Sequence, residues 1–318
     1  MRFLKKTLII LLKISISVIL LIFLFKQVDI HSLLGIIKGI NKPLLAVAYV
    51  LNFSIYIICF YRWKMLLSAV GLSVSPAKLI TPFSGGIFFN VFLPSTVGGD
   101  VVRSMDLALH TKKPSQVVAT VILDRISGYA GMALVAVTAC ILGIKLIQDR
   151  AVLWAVAGIA GILIALLLAI FNKFVYSRIR KLFYSHTSGK IWAALESIHE
   201  EMHNLKDNKK VIINNLILSL LVQLISPVST YIISLSMGAK INLLFFFVFL
   251  PIVGAITLLP ISIGGLGLRD YTTVLLFAKV GVSKDLALAM SLLGFGFILL
   301  NAAIAGLIYV FTLHHRRV

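Results

Sequence analysis

Two arginines, each in the same unusual sequence context, are the residues of this chain best suited to bind a charged ligand. Arg103 ends the stretch LPSTVGGDVVR, residues 93–103, and Arg269 ends LPISIGGLGLR, residues 259–269. We call these stretches the first and the second motif. A guanidinium binds phosphate or carboxylate through paired, charge-assisted hydrogen bonds. Both motifs therefore indicate anion binding near an arginine.

The two motifs match without a gap at the leucine, the proline, both glycines and the arginine. Each follows an apolar run that contains a proline, residues 79–92 in one case and 242–258 in the other, and each precedes a helix-like segment. We interpret the match as an internal repeat. Coincidence between two loops rich in glycine and proline is the alternative.

The composition predicts an all-α, polytopic helical membrane protein. Hydrophobic residues make up 60% of the 318, charged residues only 13%, and the mean hydropathy is +1.04, whereas soluble domains carry about a quarter charged residues. We expect a single transmembrane domain over residues 1–318 with about six full spans. The predicted spans are about 7–25, 43–61, 116–143, 151–171, 211–236 and 285–311.

The basic residues predict how the chain is oriented. The formal net charge is +19, and because Lys and Arg lie in loops between apolar runs, an anionic membrane surface explains them better than nucleic acid does. If both motifs sit in re-entrant, broken-helix units, then the N-terminus, the C-terminus and the basic loop 172–210 are all cytoplasmic. The two units then enter from opposite faces, as in an inverted repeat. The predicted repeat units are about 43–145 and 211–311, linked by a cytoplasmic amphipathic segment, 172–210.

The first apolar run has a basic front like a signal peptide, but it is longer than a signal core and no small-x-small cleavage site follows. We therefore expect a retained first span in a multi-pass protein of the cytoplasmic (inner) membrane. The stretch YRWK, Tyr61 to Lys64, is interpreted as an interfacial anchor at the end of the second span.

The glycine pairs and prolines predict how each motif forms a site. The prolines end one half-helix, and the glycines allow a sharp reversal and a close approach of the backbone. The next half-helix, starting near 98–100 or near 264–267, then directs its N–H groups and its positive dipole end at an anion. Snorkelling at the membrane interface is the alternative for each arginine. The residues involved are Pro94, Gly98, Gly99, Asp100 and Arg103, and Pro260, Gly264, Gly265, Arg269 and Asp270.

Charges also occur inside the third predicted span, at Asp124 and Arg125. Charges within a membrane are costly, and they usually face a partner or an interior cavity. One interpretation is a structural ion pair, for example between Asp124 and Arg103. The other is that Asp124 orients a site arginine or relays a proton.

The pattern of these elements resembles the lysylphosphatidylglycerol synthase transmembrane-region family, also called flippase-like domain proteins. The resemblance covers almost the whole chain and rests on FFNVFLPSTVGGDVVRSMDLAL, ATVILDRISGYAGM and LPISIGGLGLRDYTTVLLF. It implies substrate-binding roles for the matching motif residues. These are Gly98, Gly99, Asp100, Arg103, Asp124, Arg125, Gly264, Gly265, Arg269 and Asp270.

The resemblance also implies a function. The family includes the membrane half of the bacterial multiple peptide resistance factor, which translocates aminoacylated phosphatidylglycerol. Full-length synthetases of the family continue into a soluble aminoacyltransferase domain, and this chain ends at Val318. We therefore expect the flippase-like half without synthase activity, and no enzyme.

We thus expect a flippase for an anionic, phosphate-bearing lipid, with that lipid as its partner. One alternative is a secondary transporter of a small organic anion, in which Asp124 couples protons. Another is an accessory subunit without turnover of its own, partnered by a membrane glycosyltransferase or lipid-modifying enzyme. The motifs of ATP-driven transport, metal binding and Ser/His/Asp hydrolysis do not occur, so we expect no catalytic residues, metal or cofactor.

Overall fold

The computed structural model describes residues 2–93, 97–147, 149–172, 174, 177–178, 189–205, 208–259, 261–262 and 264–317. Within these ranges the chain forms helices and no β-strand. Pro94 and Pro260, which the sequence analysis places at the ends of half-helices, lie outside the described residues. So does much of the basic segment 172–210.

Twelve helices are described, numbered here in chain order. They are α1 (Arg2–Gln27), α2 (Ile30–Lys38), α3 (Lys42–Ala69), α4 (Pro76–Phe92), α5 (Gly98–Thr111), α6 (Pro114–Leu142), α7 (Arg150–Phe171), α8 (Gly189–Leu205), α9 (Lys209–Ser236), α10 (Leu243–Thr257), α11 (Leu268–Ala278) and α12 (Lys284–Arg317).

The long helices confirm a polytopic helical membrane protein. Five of them, α3, α6, α7, α9 and α12, are long and apolar enough to cross a bilayer, which takes about 20 residues. A sixth crossing is formed if α1 is counted together with α2, which follows after a bend of 87°. Each of the six predicted spans therefore falls on a long helix. The orientation of the chain in the membrane stays a prediction.

The four short helices around the motifs form two antiparallel pairs. In the first hairpin, α4–α5, Gly86 packs against Arg103 while Asn90 packs against Gly99, so residue numbers rise along α4 where they fall along α5. In the second hairpin, α10–α11, the rings of Phe246 and Phe249 lie 4.9 and 5.3 Å from that of Phe277, and Thr257 packs against Gly265. Each motif thus lies at the turn, or tip, of a hairpin that returns on itself.

The two hairpins lie along α12 from opposite ends. Near the C-terminal end of α12, a Cβ atom built on Gly85 of α4 would lie 2.7 Å from Tyr309, and one built on Gly306 would lie 2.5 Å from Phe88. Towards the N-terminal end of α12, Ser291 hydrogen-bonds to Asp270 of α11 at 2.6 Å. Both α4 and α11 run antiparallel to α12, so the tip of each hairpin is directed at the middle of α12.

The two tips meet there. A Cβ atom built on Gly264 in the second motif would lie 3.4 Å from the carbonyl oxygen of Val91, close to the end of α4. The second motif also packs on the middle of α1, because a Cβ atom on Gly267 would lie 2.8 Å from the carbonyl oxygen of Ser17. Entry from opposite ends is the arrangement expected of an inverted repeat, although the repeat relation itself stays a prediction.

The chain divides into two compact units. The unit with residues 1–56, 83–103 and 224–318 contains both motifs, and the unit with residues 57–82 and 104–223 contains α6, α7 and α8. The single transmembrane domain stays a prediction.

In the second of these units, α8 confirms that an amphipathic helix occurs within 172–210. Met202 of α8 packs in a buried cluster with Ala119 and Ile126 of α6, and Ile198 lies at the edge of the same cluster. The side chains of Ile191, Leu195 and Leu205, which share the apolar stripe of this helix, lie outside the described residues.

The close approach of α4 and α5 predicts that Gly99→Ala destabilises the protein. The added methyl would lie 2.1 Å from the carbonyl oxygen of Gly86, a backbone atom that cannot move aside without shifting a helix. Overpacking of this kind costs about 1–3 kcal/mol, so the midpoint of thermal unfolding in detergent should fall. Gly296→Ala in α12 is the matched control, because nothing lies within 4 Å of its Cβ position. An equal loss in both variants would contradict the close-packing argument.

The histidines of α8 predict that its docking depends on pH. His199 and His203 stack with ring centroids 6.2 Å apart, and burial, followed by the charge of His203, lowers the pKa of His199 below its ordinary value of 6.5. Undocked α8 therefore binds more protons than docked α8, so docking is strongest above pH 6.5 and weakens as the pH falls below it.

The measurement is the mobility of a spin label at Glu200→Cys, in a chain whose Cys59 and Cys140 are replaced by alanine. Mobility should rise between pH 7.5 and pH 5. His199→Gln should remove most of this change. An unchanged pH response in that variant would contradict the role of His199.

Candidate functional site

The second motif turns through glycines and then starts a helix. The φ angles of Gly264, Gly265 and Gly267 are +58°, +77° and +77°. Residues with a Cβ atom rarely adopt positive φ angles of this size. Gly267 is the N-cap of α11, and its N–H donates to Oδ2 of Asp270 at 3.0 Å. The predicted start of a half-helix near 264–267 is confirmed. Asp270 accepts the hydrogen bond of the Gly267 N–H, the N–H group just before the first residue of the helix.

Asp270 and Arg269 form a compact charged cluster at this helix start. Nη2 of Arg269 lies 2.5 Å from Oδ1 of Asp270, and the same oxygen accepts a hydrogen bond from Ser291 at 2.6 Å. The guanidinium lies over the ring of Phe295, 4.6 Å from its centroid. Asp270 is completely buried, whereas the Arg269 side chain is 14% exposed. The charge of Arg269 is therefore held inside the protein, which differs from a snorkelling anchor.

The first motif uses its glycines differently. Gly98 and Gly99 lie in the first turn of α5, and their φ angles are not positive, unlike those of the second motif. Their role is steric. A Cβ atom on Gly98 would lie 2.5 Å from Leu93, and one on Gly99 would lie 2.1 Å from the carbonyl oxygen of Gly86. The expectation of a sharp glycine reversal is therefore wrong for this pair, because its glycines are needed for helix contact.

Arg103 forms an ion pair with Asp100 one turn earlier in α5. Nη2 of Arg103 lies 2.9 Å from Oδ1 of Asp100, and both side chains are 7% exposed. The pair lies at the N-terminal end of α5, where the helix dipole also favours a negative group. Arg103 is thus as deeply buried as the carboxylate that neutralises it, and it does not have the exposed end of an interfacial anchor.

A third buried ion pair joins Asp124 of α6 to Arg62 of α3. Nε of Arg62 lies 2.6 Å from Oδ1 of Asp124. Its Nη1 donates to Ser219 at 2.9 Å and its Nη2 to the carbonyl oxygen of Asp124 at 3.2 Å. The structural interpretation of Asp124 is therefore supported, with Arg62 in the place where the sequence analysis suggested Arg103. Arg125, next in the chain, is partly exposed.

The predicted interfacial anchor at Tyr61 to Lys64 is wrong for its central residues. The helix α3 continues to Ala69, so Arg62 and Trp63 lie inside it, 6% and 0% exposed. Trp63 donates from Nε1 to Thr120 at 3.2 Å. Sequence reasoning missed Arg62 because a basic residue after an apolar run usually marks the membrane surface. The apolar residues that continue beyond Lys64 are the signal that could have found it.

The arrangement can exchange one anion for another. Each motif arginine is neutralised by a neighbouring carboxylate, Arg103 by Asp100 and Arg269 by Asp270, so neither is an isolated buried charge, which would be costly. A phosphate can take over the paired hydrogen bonds that the carboxylate accepts. Among the described residues, no group of three or more His, Cys, Asp or Glu side chains could hold a metal ion.

Comparison with known proteins places these motifs in a family. The family model described as the lysylphosphatidylglycerol synthase TM region matches residues 10–306. A UPF0104 membrane protein of Pyrococcus horikoshii is 27% identical, over 73% of this chain and 76% of the relative. Two UPF0104 membrane proteins of Methanothermobacter thermautotrophicus are 27% and 23% identical, over 76% and 82% of this chain and 77% and 80% of their own lengths. No solved structure matches the chain.

The Arg62–Asp124 pair predicts a non-additive pair of substitutions. Arg62→Gln leaves the Asp124 carboxylate buried without its cation, which costs about 3–5 kcal/mol. Asp124→Asn leaves the Arg62 guanidinium buried without its anion, and this should lower the stability by a similar amount. The double variant Arg62→Gln/Asp124→Asn removes both charges of the pair. It should recover most of the stability that each single variant loses. The midpoints of thermal unfolding of all three variants test this, and additive losses would contradict a structural ion pair.

Proposed function

The chain belongs to the lysylphosphatidylglycerol synthase transmembrane-region family, and on that basis we propose that it moves an anionic, phosphate-bearing lipid between the leaflets of the cytoplasmic membrane. The proposed role is binding and movement of the lipid, with no covalent step. The observation that carries the proposal is the meeting of two arginine-bearing hairpin tips near the middle of α12. The Val91 and Gly264 backbones mark that meeting point.

The depth of the tips suits a lipid head group in transit. The head group of a lipid must cross about 30 Å of hydrocarbon, and backbone that leaves helical form at that depth must be shielded by protein or face a polar site. The tips supply such irregular backbone together with Arg103 and Arg269. The lipid tails can meanwhile stay in the bilayer, beside helices that expose large apolar side chains. Examples are Val50 of α3, Leu307 of α12 and Val310 of α12.

The carboxylates beside the arginines balance both charges. Asp100 neutralises Arg103, and Asp270 neutralises Arg269. When a phosphate approaches Arg269, Asp270 can give up part of this contact, because it also accepts hydrogen bonds from the Gly267 N–H and from Ser291. Among the described residues Arg269 donates only through Nε and Nη2, so its Nη1 hydrogens can bind the phosphate first.

The opposite approach of the hairpins suits alternate access. Each hairpin meets α12 from its own end, with contacts to Tyr309 in one case and to Ser291 in the other. Movement of one hairpin would open the tips towards one side only. Access to the phosphate site would then alternate between the two sides of the membrane, as in transporters built from inverted repeats.

The test removes one motif arginine together with the carboxylate that neutralises it, so that no buried carboxylate is left unpaired. The variants are Arg103→Gln/Asp100→Asn and Arg269→Gln/Asp270→Asn. Asparagine at 270 can still accept the Gly267 N–H. We expect each variant to fold and to exchange labelled anionic phospholipid between the leaflets of proteoliposomes at least tenfold more slowly than wild type, because an arginine–phosphate contact is lost.

Lys210→Ala is the matched control, since Lys210 is an exposed cation outside the motifs; it should keep wild-type exchange. If wild type exchanges no lipid class faster than protein-free vesicles, the proposal fails. Uptake of a water-soluble organic anion driven by a pH gradient would favour the transporter alternative. Inactivity alone, together with co-purification of a lipid-modifying enzyme, would favour the accessory subunit.

A further inference from the structure

Each hairpin tip carries a buried polar side-chain atom without a hydrogen-bond partner among the described residues. One is Oδ1 of Asn90, in the last turns of α4, and the other is Oγ of Ser262, inside the second motif. Ser262 is only 4% exposed. Buried polar atoms are nearly always hydrogen-bonded in native proteins, and each exception calls for an explanation.

The two atoms lie close to the point where the hairpin tips meet. Asn90 precedes Val91, and Ser262 stands two residues before Gly264. The tips meet between Val91 and Gly264, because a Cβ atom built on Gly264 would lie 3.4 Å from the carbonyl oxygen of Val91. Two residues of extended chain span at most about 7 Å. Asn90 also packs on Gly99, since a Cβ atom on this glycine would lie 2.8 Å from the Asn90 Cβ atom. Both side chains therefore lie near the junction of the two tips, next to the helices that carry Arg103 and Arg269.

The chemistry of the pair defines what it would bind. The amide oxygen of Asn90 only accepts hydrogen bonds, whereas the hydroxyl of Ser262 can donate and accept. A phosphodiester has no donor of its own, so the donor must come from the alcohol that esterifies the phosphate. The pair itself carries no charge, so it offers no anion to balance an ammonium group. A neutral hydroxyl therefore fits better than an ammonium group.

We propose that Asn90 and Ser262 form a specificity subsite that selects phosphodiester lipids whose head group carries a hydroxyl. This inference rests on the proposed function and deepens it, because it concerns the same site. The arginines hold the phosphate that all such lipids share. The subsite recognises the alcohol beyond the phosphate, and a lipid without a hydroxyl leaves both buried atoms unsatisfied.

The experiment compares two lipids of equal charge. Phosphatidylglycerol carries hydroxyls in its head group, and phosphatidylmethanol is an anionic phosphodiester without any. Wild type should exchange labelled phosphatidylglycerol about tenfold faster than phosphatidylmethanol, as expected for one or two hydrogen bonds. Asn90→Leu and Ser262→Ala should each bring this ratio towards one, and Ser262→Thr, which keeps a hydroxyl, should preserve it.

The ratio separates the subsite from general damage. A variant that is partly misfolded loses both rates together, so its ratio does not change. Ser236→Ala is the matched control, because Ser236 is a buried serine whose hydroxyl already donates to the carbonyl oxygen of Ile233; its ratio should equal that of wild type.

Four outcomes overturn the inference. A wild-type ratio near one, or a ratio that the Asn90 and Ser262 variants leave unchanged, contradicts the subsite while the proposed function stands. Faster exchange of phosphatidylethanolamine than of phosphatidylglycerol by wild type, lost in Asn90→Leu, shows that the donor is an ammonium group. If wild type exchanges no lipid, the proposed function fails and the subsite fails with it.

Discussion

A buried guanidinium in an apolar protein needs an anion beside it, and this requirement organises the motifs. Arg103 is matched by Asp100, Arg269 by Asp270, and Arg62 by Asp124. An unpaired charge at such a position would be expensive. The Arg62–Asp124 pair joins α3 to α6, whereas each motif arginine is paired within its own helix. The same requirement underlies the proposed function, in which a lipid phosphate takes over part of the role of the carboxylate.

The tips of the hairpins depend on shielding by other parts of the chain. Irregular backbone between two short helices is tolerable deep in a membrane protein only where other parts of the chain shield it. The second tip is shielded by α1 and by the end of α4, through Gly267 and Gly264. The backbones are in close contact at these two glycines, and this leaves little room for side chains. The polar groups near the junction are therefore few, and they come from the motifs and from adjacent residues.

Much of the fold follows from hydropathy and from glycine and proline, and the details that escape prediction are tertiary. Runs of about 20 apolar residues identify the long helices without any knowledge of packing, and the Pro–Gly motifs identify the hairpin tips. The partner of Asp124 could not be deduced, because Arg62 lies 62 positions away and looks like a surface anchor in the sequence. In the sequence Asn90 is recognisable only as a polar residue in an apolar run, and Ser262 gives no signal, since the absence of a partner is visible only once the neighbours are placed.

The glycine pairs show the same limit in another form. Gly98–Gly99 and Gly264–Gly265 occupy equivalent places in matching motifs, yet the first pair serves helix contact and the second serves a turn with positive φ. The identity of a residue restricts its backbone to a set of conformations, and the surrounding structure selects one of them.

Asp270 has two structural roles, and this affects how the residues of the second hairpin tip can change in evolution. Asp270 starts the helix α11 by accepting the Gly267 N–H and also faces Arg269, whereas Arg269 contributes nothing to that cap. The cationic position can therefore change in size or reach without unwinding the helix, while the acidic position is bound to the fold. The architecture is thus tied to Asp270, while Arg269 beside it can evolve at a different rate.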